Sequence, residues 1–67
     1  MNGKIYQYFY KLVGDYDDGA TPHYEEITVF DYHRAKNAGL VVRENVVRDH
    51  NDRDDIIHCV FIELKKQ

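Results

Sequence analysis

Four histidines, one cysteine and twelve carboxylates are the side chains of this chain that could do chemistry, and their spacing limits what they can do. His58 and Cys59 are adjacent, so on a strand they point to opposite faces and cannot meet at one ion. His23, His33 and His50 are scattered and lack the closely paired Cys/His spacing of structural zinc. The run Asp15-Tyr16-Asp17-Asp18-Gly19 has the charge of a calcium loop but not its register. Counted from Asp15, Asp17 falls at the third position and Glu26 at the twelfth, but glycine stands fifth instead of sixth and helices do not flank the loop. The expectation is a solvated acidic turn, with no metal and no cofactor.

Covalent chemistry has no better footing. Cys59 has Ile57 and Val60 beside it, the setting of a packed cysteine instead of an activated nucleophile. There is no glycine-rich phosphate loop, no Gly-x-Ser-x-Gly and no serine at all. Asp54 and Asp55 are neighbours in a polar turn, where both carboxylates stay solvated. No enzymatic activity is expected.

The tyrosines carry more information. All six lie between Tyr6 and Tyr32. Tyr6, Tyr8 and Tyr10 share one face of a strand, and half-wet tyrosines suit interfaces because the ring is apolar and the hydroxyl hydrogen-bonds. They are the candidate partner-binding residues. The same stripe could instead lie under a helix, or stack a nucleotide whose phosphate is met by Arg43, Arg48 or Lys11.

The elements that must position these residues follow from pattern. Residues 4–13 are rich in aromatic and branched side chains and predict a strand. Residues 14–22 read as a loop carrying Asp15, Asp17 and Asp18. Residues 24–30 predict a second strand, forming a hairpin with the first. Asp31 is placed as the N-cap of a helix over 32–38. Gly39 and Leu40 then match the C′ and C″ positions of a Schellman stop. So short a helix is stable only when docked, and Tyr32, Ala35 and Ala38 are the expected docking residues. Residues 41–48 carry four valines and are read as strand over helix. Residues 49–55 are a polar turn with Asp52 and Asp54 at a second acidic tip, and the last strand runs from Ile56 to about Lys65. The expected fold is α+β in the order ββαββ, a four-stranded antiparallel sheet with one short helix, in a single small domain over residues 1–67.

The last strand is apolar on both faces. Ile56, His58, Val60, Ile62 and Leu64 alternate with Ile57, Cys59, Phe61 and Glu63. One short helix covers one face at most. Domains of about 60 residues are marginal alone, and one cysteine rules out an internal disulfide, so self-association through Ile57, Cys59 and Phe61 is expected. A net charge of -3 argues against duplex nucleic acid as a partner. No apolar run approaches the ~18 residues of a membrane span, and no signal peptide is visible. The lone cysteine fits a reducing, cytoplasmic setting. These observations lead to the expectation of a small non-enzymatic protein-interaction module. It would be a regulator or inhibitor of another protein, of the kind phages and mobile elements encode, and a homo-oligomer. The alternative is a homo-oligomeric nucleotide-binding protein with a pocket between subunits.

Overall fold

A computed structural model describes residues 3–15 and 21–66, except for the side chain of Asp15. Five elements follow one another: β1 (Ile5–Asp15), β2 (Pro22–Ile27), α1 (Val29–Asn37), β3 (Val41–His50) and β4 (Ile56–Leu64). The order ββαββ and the single four-stranded sheet agree with the sequence reading, and residues 41–48 are strand.

The sheet order is β2-β1-β4-β3. β1 pairs antiparallel with β2, and β3 antiparallel with β4. The central pair, β1 with β4, is parallel, which corrects the expected all-antiparallel sheet. Each hairpin is antiparallel because its loop is short. Between the hairpins, α1 carries the chain over one face from β2 at one edge to β3 at the other. It therefore delivers β3 in the same direction as β2, and β4 in the same direction as β1. The two most apolar strands take the centre, where both edges are hydrogen-bonded.

The helix starts three residues before its expected position. Thr28 is the N-cap, extended at φ -78° and ψ 160°, and its Oγ1 accepts the Asp31 amide at 3.1 Å. Asp31 is thus a first-turn residue, not the cap, and β2 ends at Ile27, so Val29 and Phe30 leave the expected second strand for the helix. Ala38 is the C-cap and is exposed, not docked. The stop follows the sequence reading. Gly39 sits at φ 72°, its amide donates to the Lys36 carbonyl at 3.1 Å, and Leu40 donates to Ala35 at 3.0 Å, the two bonds of a Schellman motif.

The core is small and one-sided. Phe9, Tyr32, Ala35, Val60 and Ile62 are its buried residues, with Ile27, Val41 and Leu64 packed against them. Tyr32 anchors the helix twice. Its ring stacks on Phe9 at 4.7 Å between centroids, and its hydroxyl donates to Glu44 Oε1 of β3 at 2.9 Å. Lys36 closes the group, donating from Nζ to the Tyr32 hydroxyl at 3.1 Å. The far hairpin turn is held by Asn51, whose Oδ1 accepts the amides of Arg53 and Asp55 at 2.9 and 3.2 Å.

Candidate functional site

The strand registers divide the side chains between two faces. Phe9 lies opposite Val60 and beneath Tyr32, so the odd positions of β1 and even positions of β4 turn toward the helix. The other face carries Tyr6, Tyr8, Tyr10 and Leu12 of β1. Beside them, in register, stand Ile57, Cys59 and Phe61 of β4. Tyr24 of β2, opposite Leu12, and Val47 of β3, opposite Cys59, extend it to both edges. No element lies over this face among the described residues.

The residues singled out as a partner site and those singled out as an oligomer interface therefore form one continuous surface. Tyr6 stands by Ile57, Tyr8 by Cys59 and Tyr10 by Phe61. Phe61 is the centre of an aromatic cluster. Tyr10 stacks on it at 5.1 Å with the rings 18° apart, and Tyr24 meets it edge-on at 5.0 Å. These contacts prop the three rings against one another, with Tyr24 still 38% exposed, and Tyr6 and Tyr8 farther along β1 are each 39% exposed. Burial pushes the Tyr10 hydroxyl above its ordinary pKa, and nearby Cys59, Glu26 and Tyr8 push it the same way. Charge is confined to the rim: Glu26 beside Tyr10, Asp49 beside Ile57, and Arg43 with Glu63, 3.7 Å apart.

Tyr24 and Val47 were not identified from sequence. Their strands were legible, but which neighbour each would face depends on the registers β1/β2 and β3/β4. Phe30, 75% exposed on the first turn of α1, was hidden by its assignment to a strand. Asp52 and Asp54 lie in the 51–55 turn, near the start of β1, where the Lys4 amide donates to Asp55 at 2.8 Å. The Asp15 end of β1 pairs with Pro22 at the opposite end of the sheet. The side chains of Asp15, Asp17 and Asp18, and the calcium-like run with them, lie outside the described residues.

Among the described residues, no group of three or more His, Cys, Asp or Glu side chains could hold a metal ion. No described helix is long and apolar enough to cross a membrane. Of the three cations considered for a phosphate, only Arg43 shares the tyrosine face. Lys11 and Arg48 lie opposite Ile62 and His58 and so turn to the other side. The cavity beside Arg43, lined by Leu12, Tyr24, Asn45 and Phe61 among others, holds about 140 Å³, well below the ~300 Å³ where small-molecule pockets begin. No protein-family model, curated protein or solved structure matches this chain.

Proposed function

We propose that this chain is a non-enzymatic protein-interaction module that regulates or inhibits another protein by covering it with the open face of its sheet. The uncovered aromatic surface of Tyr6, Tyr8, Tyr10, Tyr24 and Phe61 carries the reading. Tyr10, Tyr24 and Phe61 are held by their ring contacts, so these three side chains have little freedom left to lose on binding. An apolar centre with a charged rim is the usual anatomy of a protein–protein interface. The cavity beside Arg43 is small, and two of the three cations considered for a nucleotide phosphate are on the far side of the sheet. Both facts favour a protein surface over a nucleotide.

The test pairs capture with quantitative binding. The full chain and a Tyr8→Glu variant with the same melting temperature serve as baits, and any protein retained by the former is purified and titrated against both. A partner whose affinity falls about tenfold or more with Tyr8→Glu, a loss typical of interface-centre positions, supports the reading. A partner bound equally by both baits refutes this face. Saturable binding of ATP or GTP at micromolar concentration would replace the reading with the nucleotide one.

A further inference from the structure

The open face leaves a second surface unused, the outer edge of β3. This edge strand is ten residues long, and every residue from Val42 to His50 is exposed. Long edge strands usually carry devices that prevent another strand from pairing. β3 has a bulge between Val41 and Arg43, and beyond it residues 43–50 are regular. Two hydrogen bonds show which main-chain groups point outward. The Asn51 amide donates to the Asp55 carbonyl at 3.4 Å, and the Ile56 amide, opposite His50, donates away from β3 to Lys4 at 2.8 Å. By alternation, Arg43, Asn45, Val47 and Asp49 turn their N–H and C=O groups toward β4, and Glu44, Val46 and Arg48 turn theirs to the free edge.

A second copy could pair with this edge about a twofold axis. Outward groups must oppose outward groups, so the positions of two opposed residues must sum to an even number. One such register opposes Val46 with Val46 of the second copy. It then sets Glu44 against Arg48 and Arg43 against Asp49, twice each by symmetry, with Asn45 against Val47. Sliding by one step either way opposes Glu44 with Val46 or Arg48 with Val46, and a further step opposes Glu44 with itself. Only the first register meets every charge with its opposite. Arg48 makes no ion pair within its own chain among the described residues.

We infer that the chain dimerises edge to edge through β3 in this register, forming one eight-stranded sheet. About six main-chain hydrogen bonds would join the copies, and opposed residues on antiparallel strands share a face. The two aromatic faces therefore lie on the same side, and neither is consumed by the dimer.

Light scattering on the full chain at about 50 µM, where a modest interface is populated, reads the result. The expected mass is twice that of the chain. Asp49→Lys opposes Arg43 with a lysine and should weaken the dimer roughly tenfold or more. Arg43→Glu with Glu63→Lys, which keeps the 43/63 pair of opposite charge, combined with Asp49→Lys should restore it. Tyr8→Glu, on the open face, should leave the mass doubled. A single-chain mass for the unaltered protein overturns the inference, as does a dimer indifferent to Asp49→Lys, a combined reversal as monomeric as Asp49→Lys alone, or a dimer lost with Tyr8→Glu. Circular dichroism accompanies each variant. Should Asp49→Lys fail to fold, Arg48→Glu opposes Glu44 with a glutamate; a monomer is then expected, and a persisting dimer overturns the inference.

Discussion

At the scale of single residues, Gly39 isolates a backbone effect. Its φ of 72° is a conformation that a β-carbon disfavours by about 1–2 kcal/mol. A β-carbon built there meets nothing within 4 Å, so Gly39→Val should cost about that amount through the backbone alone, read as a lower urea midpoint. An unchanged midpoint would mean the helix does not end as described. The Gly39-Leu40 pair was legible from sequence because the stop is a local motif. Titration adds a second expectation. Lys36 is held above its ordinary pKa, chiefly by its hydrogen bond to Tyr32, with Glu44 adding to it. Tyr10 is also raised, first by burial. In both cases the folded chain keeps a proton that the unfolded chain gives up. Their contribution to stability is therefore full below about pH 10, where the free groups begin to titrate, and is lost as pH rises through the folded values. Urea midpoints should fall above that pH, and Tyr10→Phe should flatten part of the fall. A midpoint that holds constant to pH 11 would contradict the Tyr10 and Lys36 environments.

At the scale of elements, the helix shows where local signals compete. Val29 and Phe30 favour strands by type, and residues 24–30 read as one run. Yet Thr28 caps the Asp31 amide, and that hydrogen bond, with Tyr32 docking on Phe9, draws Val29 and Phe30 into the first turn. Thr28→Ala should therefore cost about 1 kcal/mol of stability, as cap removals do. Asp31→Ala should cost only a few tenths, since its contact with Arg34 is 3.9 Å long and exposed. Thermal melts of the two variants decide the matter; a larger loss for Asp31→Ala would restore it as the cap. The hairpins were legible because each pairs segments close in sequence. The parallel β1/β4 contact was not, because it is set by the path of α1 over the sheet. The open face was half legible for the same reason: Tyr6, Tyr8 and Tyr10 share a face by parity within one strand, whereas Tyr24 and Val47 join them only through registers between strands.

At the scale of the whole molecule, β4 shows a division of labour between its two faces. Ile62 is 1% exposed under the helix, and its neighbour Phe61 belongs to the open face with Tyr10 and Tyr24. A chain of this length has roughly 3–10 kcal/mol of stability to lose. Ile62→Ala removes part of a five-residue core and should cost about 2–5 kcal/mol, a large share of that margin. Tyr8, only half-covered by its neighbours on the same sheet, should behave in the opposite way. Tyr8→Ala should lower stability by less than about 1 kcal/mol, the scale of a cross-strand pair, while removing about 2 kcal/mol or more of partner binding if it sits at the interface centre. Measured side by side, the two variants separate folding from recognition. Equal loss of stability in both would mean that the tyrosine face supports the fold of the single chain, and recognition would then have to reside at the sheet edges.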